Sequence, residues 1–342
     1  MSETTQNRKV YLDYLRVFAM FAVILTHVVG EVLTDDIKTG TPEWIYLSAL
    51  SSIVKWAVPI FLMISGTLFL SRNIEIKTIY KKYILRLFIA LVFWSAVYTV
   101  LEYFTQRPRP RDLITTFVSG YVHLWYLYLM IALYMLVPIL RLIVKNKQIM
   151  KYYMVLSTIF AFVVPMILNI DIVSKIASGA INNMHIDFVM GLTLFFVAGY
   201  YFSSVQISKR SKIIIYSIAV LSLLSYFARI IYAIYKLKDY YLDISLNTIG
   251  TLFISFAIYV LFMNICKNKK QTSKFVACLS KYSFGIYLVH MLIIKLSTYF
   301  DLPYTHLNIF LYVPIMFVLT SAITFVIVFV LKKIPIVNKY LV

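Results

Sequence analysis

Residues 10–33 read VYLDYLRVFAMFAVILTHVVGEVL, an apolar run of membrane-spanning length that carries Asp13, Arg16 and His27. Arg16 and His27 are eleven residues apart. At 3.6 residues per turn that is close to a whole number of turns, so both fall on one face of a helix, about 16 Å apart along its axis. Asp13, three residues before Arg16, shares that side. Ionisable groups inside a membrane helix are costly and usually face a protein interior or a wet cavity. Two readings are open: a polar track through the bilayer, or a structural Asp–Arg pair with a buried, hydrogen-bonded histidine.

Composition sets the class. Of 342 residues, 61% are hydrophobic and 14% charged, with a mean hydropathy of +0.84. Apolar runs long enough to cross a bilayer recur along the chain, which excludes an ordinary soluble domain. The net charge of +19 does not point to nucleic acid, because the basic residues cluster in short loops between apolar runs, the pattern of membrane topology. The first nine residues, MSETTQNRK, lead into the first run with no small-residue cleavage site, as an uncleaved first span would. Cys266 and Cys278 flank a Lys-rich loop, fit no metal spacing and imply no disulfide framework.

The fold expected is all-α and polytopic, one membrane domain over residues 1–342. Its ten helices lie near 10–33, 44–70, 82–104, 123–144, 152–168, 187–202, 212–235, 244–265, 282–299 and 308–331. The loops on one side hold 21 Lys and Arg, those on the other seven. The positive-inside rule then puts both termini in the cytoplasm, Arg16 in the inner half of the first helix and His27 in the outer half. The loop Arg107-Pro108-Arg109-Pro110-Arg111 is basic yet external, either merely solvated or attractive to an anionic surface polymer.

Five basic residues remain outside the two loop counts: Arg16, Lys55, Arg86, Arg229 and Lys295. Lys55 lies about 16 Å from the outer end of its helix, too deep to snorkel easily, and needs a partner, a wet pocket or an anionic ligand. Arg86 either snorkels or faces a phosphate; snorkelling is the expectation for Arg229 and Lys295. Pro59 and Gly66 are expected to loosen the second helix, with Ser65 covering freed backbone groups. Tyr121-Val122-His123-Leu124-Trp125-Tyr126 opens the fourth helix as an interfacial belt or the rim of a site. His185, Asp187 and His306 read as solvated end or loop residues. His290 lies about 12 Å into the ninth helix, a depth resembling that of Arg16, so the two are candidates for one polar site.

Four stretches in order, Arg16-x10-His27, VPIFLMISG (58–66), HLWYLY (123–128) and YSFGIYLVH (282–290), resemble the membrane O-acyltransferases of acyltransferase family 3 over nearly the whole chain. The resemblance implies a ten-helix plasma-membrane enzyme. It would move an acyl group, usually acetyl, from cytoplasmic acyl-CoA to a hydroxyl of an envelope carbohydrate or lipid-linked glycan. Members often carry an additional extracytoplasmic esterase-like domain, which is not expected here. The family's Arg-x-x-Arg pair is matched at Arg86 but not at Tyr83; Lys81 and Lys82 are the candidate substitutes. Besides membrane lipids, the partners implied are the acyl-CoA donor and the glycan acceptor, with no metal. His27 is the expected base or acyl carrier. Arg16 would orient the donor or stabilise an oxyanion, held by Asp13. Lys55, Arg86, Tyr287 and His290 would line the donor route, and His123 and Trp125 the acceptor mouth. The rival class is a transporter or flippase of an anionic or lipid-linked solute, which intramembrane charges would also suit; no repeat of the kind common in transporters is visible.

Overall fold

The computed structural model describes residues 9–34, 37–106, 108–170, 175, 176, 178, 191–236, 248–302 and 307–342. These residues form helices and no strands: α1 (Val10–Val32), α2 (Pro42–Val54), α3 (Ala57–Leu70), α4 (Ile76–Gln106), α5 (Pro110–Ser119), α6 (Trp125–Lys145), α7 (Lys147–Leu168), α8 (Thr193–Ser204), α9 (Lys209–Lys236), α10 (Ile249–Ile265), α11 (Lys274–Tyr299), α12 (Ile309–Leu331) and α13 (Pro335–Tyr340). Eight stretches are long and apolar enough to cross a membrane, α2 and α3 counting together as one. Two of the ten expected spans are represented by shorter helices, α8 and α10. The chain is an all-α polytopic membrane protein. His185, Asp187 and His306 lie outside the described residues.

Local chemistry sets the boundaries. Thr41 caps α2 by accepting from the Trp44 amide at 3.2 Å, with Pro42 in the first turn. Asn146 alone separates α6 from α7, accepting from the amides of Gln148 at 2.8 Å and Ile149 at 3.2 Å. The second expected helix is broken at Lys55-Trp56. Pro59 has no amide to give to the Lys55 carbonyl four residues back, and its ring crowds that oxygen. α11 starts at Lys274 rather than at 282, because Phe275, Val276, Ala277 and Leu279 continue the helix beyond the apolar stretch. His290 is therefore about 24 Å along it by helix rise, twice the depth inferred from sequence.

The described residues gather into two compact units. The first takes α1 up to Thr26, α2 and α3, and residues 142–280. Its central packing joins α3 to α8. A Cβ placed on Gly66 would lie 1.7 Å from the Phe196 carbonyl oxygen, and one on Gly199 would lie 1.9 Å from that of Met63. Residue numbers rise along one helix as they fall along the other, so the two run antiparallel with their backbones touching. Gly66 thus serves close approach rather than loosening the helix. Around this pair Phe162, Phe195, Phe202 and Phe256 pack edge to face at centroid distances of 5.0–6.4 Å. The buried Tyr259 hydroxyl bonds Thr67 Oγ1 at 2.5 Å and Tyr11 at 3.3 Å.

The second unit takes residues 27–34, 72–141 and 281–342. Its core includes Tyr98, Leu124, Leu127, Leu288, Val289, Ile294 and Met316, all 0% exposed. α13 and the residues after it are drawn in: Trp94 Nε1 donates to the Leu341 carbonyl at 3.0 Å, and Arg86 Nη2 to the Val342 oxygen at 2.9 Å. Lys332, just past α12, donates to the Lys281 carbonyl at 2.6 Å and lies 4.8 Å from the Tyr282 ring centroid. Burial, with repulsion from Arg86 and Lys281, lowers its pKa to about 8. A lowered lysine pKa penalises folding below that pH. The penalty fades as pH rises from about 8 toward the ordinary value near 10.4. Acylation of Lys332 by an amine-directed reagent, followed by peptide mass spectrometry, should show a rate midpoint near pH 8; a midpoint near 10 would contradict this environment.

Candidate functional site

The sequence-selected residues fall into two clusters, one in each unit. In the first unit Asp13 is 3% exposed. Its Oδ1 accepts from the Ser280 hydroxyl at 2.8 Å and its Oδ2 from the Thr272 hydroxyl at 2.9 Å. Arg16 Nη1 donates to Ser280 Oγ at 3.0 Å and stands 3.6 Å from Asp13 Oδ1. Ser280 is thus the link between acid and base: it gives its proton to one and accepts from the other. Arg16 keeps 27% of its side chain exposed, enough for an anion to approach it. Lys55 is half-buried at the break between α2 and α3.

The second unit holds a cluster of three histidines. His27 comes from the C-terminal half of α1, His290 from α11, and His123 from the turn that precedes α6. Ring centroids are 5.0 Å apart for His27 and His290, 5.2 Å for His123 and His290, and 6.2 Å for His27 and His123. His123 is 1% exposed and His290 0%; His27 is half-buried. Among the described residues no group of three or more His, Cys, Asp or Glu is arranged to hold a metal ion.

The supports of this cluster are tyrosines. The Tyr287 hydroxyl donates to the main-chain oxygen of His123 at 2.5 Å, and the Tyr287 carbonyl accepts from His290 Nδ1 at 2.7 Å. One residue therefore fixes two histidines. The Tyr98 hydroxyl donates to the Leu288 carbonyl at 2.7 Å and accepts from the Leu292 amide at 3.2 Å. It bridges two groups that lie one turn apart on α11, with His290 between them. Tyr98 also stacks on Tyr121 at 4.8 Å and 10°, and meets the His123 ring edge-on at 4.9 Å.

Four expectations change. His290 is seated against His27 and His123, not paired with Arg16. His123 is no rim residue: tight-turn bonds such as Leu124 N to the Tyr121 carbonyl at 2.7 Å make neighbouring side chains diverge, turning His123 inward and leaving Val122 and Trp125 61% and 38% exposed. Lys295 does not snorkel; its Nζ lies 2.7 Å from Glu31 Oε2 and 2.9 Å from Oε1. Arg86, read as either snorkelling or facing a phosphate, is engaged by the Val342 oxygen and lies 5.3 Å from the Phe284 ring centroid.

Sequence reasoning missed Ser280, Thr272, Glu31 and Tyr98, and read Tyr121 only as part of an interfacial belt or site rim. Tyr98 is one of 28 tyrosines, so composition gives no reason to single it out. Ser280 and Thr272 border a Lys-rich loop where hydroxyl residues are ordinary. Among curated proteins and solved structures, the comparisons gave no match. An acyltransferase domain model does match, over residues 9–331; with two ionisable clusters built into membrane helices and the model covering nearly its whole length, this chain belongs to acyltransferase family 3.

Proposed function

We propose that this membrane acyltransferase is an O-acyltransferase of the plasma membrane. It takes an acyl group, acetyl in the simplest case, from cytoplasmic acyl-CoA and gives it to a hydroxyl of an envelope carbohydrate or lipid-linked glycan. The observation that carries the reading is the buried histidine cluster in a helical membrane protein of an acyltransferase family. A thioester is already activated, so transfer needs a proton acceptor for the attacking hydroxyl and donors for the developing oxyanion. Imidazole suits the first task near neutral pH. His27 is the half-buried member of the three, which favours it as the one that meets the acceptor.

Arg16 is the donor-side residue. CoA is a polyanion, and a guanidinium binds phosphate or an oxyanion through paired donors. Asp13 and Ser280 fix its position. Lys55, Arg86 and Tyr287 remain donor-route residues in this reading, with Arg86 exchanging its bond to Val342 for a phosphate oxygen. Trp125, exposed before α6, offers an aromatic face to a sugar ring, while His123 contributes from below. The 21-to-seven charge asymmetry supports cytoplasmic termini and a cytoplasmic donor side.

The test is direct. Membranes containing the protein, given tritiated acetyl-CoA, should accumulate base-labile label in envelope material, and mass spectrometry of envelope glycans should show acyl groups that vanish with the gene's deletion. Arg16→Ala should weaken CoA binding or turnover by roughly tenfold to a hundredfold, the scale of losing a charged hydrogen bond worth ~1.5–3 kcal/mol. Unchanged glycans would refute the acceptor class. Unchanged CoA binding and transfer by a folded Arg16→Ala protein would remove Arg16 from the mechanism.

A further inference from the structure

His290 carries one ring nitrogen that is hydrogen-bonded and one that is not. A carbonyl oxygen can only accept, so the 2.7 Å contact between His290 Nδ1 and the Tyr287 carbonyl requires the ring proton to be on Nδ1. In the neutral ring the lone pair is then on Nε2. That atom is buried and has no hydrogen-bond partner, in a residue with 0% exposure. A buried polar atom without a partner carries a free-energy cost and calls for an explanation. Here the nearest ionisable ring is His27, 5.0 Å away centroid to centroid and tilted by 51°. His123 is a weaker candidate. Its two ring nitrogens also lack partners, and it lies beside the Leu288 carbonyl without a bond of ordinary geometry, so nothing fixes which nitrogen holds its proton.

We infer that His290 Nε2 receives the proton that His27 takes from the acceptor hydroxyl. The inference rests on the acyl-transfer reading above and adds the second proton site. The hydroxyl oxygen bonds to the thioester carbonyl carbon and its proton passes to one ring nitrogen of His27. The proton on the other ring nitrogen of His27 passes to His290 Nε2. As the carbonyl re-forms and the C–S bond breaks, the proton returns from His290 through His27 to the leaving thiolate. Charge and protons balance without water. His290 touches no substrate and acts through His27; Tyr287 acts one step further back, fixing the tautomer through its carbonyl and the His123 main chain through its hydroxyl. The titratable rings facing His290 are His27 from α1, His123 from the turn before α6 and Tyr287 on its own helix; behind them Tyr98 from α4 meets the His123 ring and Tyr126 from α6 meets Tyr287. No carboxylate is among these ring neighbours.

Two measurements test this. Nitrogen-15 NMR of histidine-labelled wild-type protein, with His290→Gln used for assignment, should find His290 protonated at Nδ1 and bare at Nε2 at neutral pH. Acetyl transfer from tritiated acetyl-CoA into base-labile envelope material, followed across pH, should show kcat lowered about tenfold or more in His290→Gln. KM for acetyl-CoA should be unchanged, and the limb of the pH profile that reports the coupled pair should be displaced. A His290 proton on Nε2, or a His290→Gln protein with wild-type kcat and pH profile, would overturn the inference alone. Failure of wild-type protein to transfer any acyl group would overturn the acyl-transfer reading and this inference with it.

Discussion

His27→Gln is expected to insert, purify as a monodisperse protein and bind CoA, yet to transfer acyl groups at least about 100-fold more slowly, the scale of losing a general base. Glutamine keeps the length and hydrogen-bonding ability of the side chain but cannot shuttle a proton near neutral pH. The packing cost should be small, because His27 is half-buried and its neighbours are the rings of His123 and His290. CoA binding should survive, since the donor-side charges belong to Arg16 and its supports. Steady-state transfer of tritiated acetyl groups, beside CoA binding by calorimetry, separates the two effects. Full transfer by His27→Gln would leave His27 as a packing residue. If the acyl group rests on His27 between donor and acceptor, label should appear on the His27 peptide when acceptor is withheld, and be absent from His27→Gln.

The largest effect on folding is expected at the backbone contact of α3 and α8. Alanine is the better helix former by ~1 kcal/mol, so Gly66→Ala or Gly199→Ala would stabilise an isolated helix. In this protein each added Cβ meets a main-chain oxygen at 1.7 or 1.9 Å. A flexible side chain could swing aside, whereas a carbonyl fixed in another helix cannot. The helices must separate, and the loss should exceed the ~1–3 kcal/mol usual for overpacking. Either variant should show a markedly lower Tm in detergent, or fail to accumulate. The double variant should be little worse than the single ones, because one separation relieves both clashes and the effects of coupled neighbours do not add. Additive losses, or a Tm unchanged in Gly199→Ala, would show that the helices are not held backbone to backbone.

Much of the fold is legible in the sequence because bilayer thickness imposes a length on every span, and eight stretches display that length openly. α8 is harder to read, since the residues ahead of it mix polar and apolar side chains. The break at Lys55-Trp56 is implicit in Pro59 once the missing amide is traced back four residues. The role of Gly66 is not implicit in anything nearby, because what fills its space is the Phe196 carbonyl, 130 positions away. The same limit applies to the site. Spacing along a helix identifies Arg16, His27 and Asp13 as a set, and the apolar host makes each conspicuous. It cannot say that His290 sits beside His27, nor that Lys295 finds Glu31, because those pairings depend on how different helices are placed side by side. For His123 the reason is local: residues 121–124 form a tight turn rather than the first turn of a helix, and the side chain is buried.

The Tyr98 hydroxyl between Leu288 and Leu292 bears on the order in which the protein is made. α4 leaves the ribosome long before α11, and domains form from the N-terminus onward during synthesis. When α11 enters the bilayer alone, the Leu288 carbonyl and the Leu292 amide have only each other as partners, and in hydrocarbon they must pair. The turn that holds His290 therefore reaches its working geometry only when Tyr98, already in the membrane, is admitted to it. A nascent chain in which α11 has not yet met α4 lacks this arrangement, and the bonds of Trp94 and Arg86 to Leu341 and Val342 form later still.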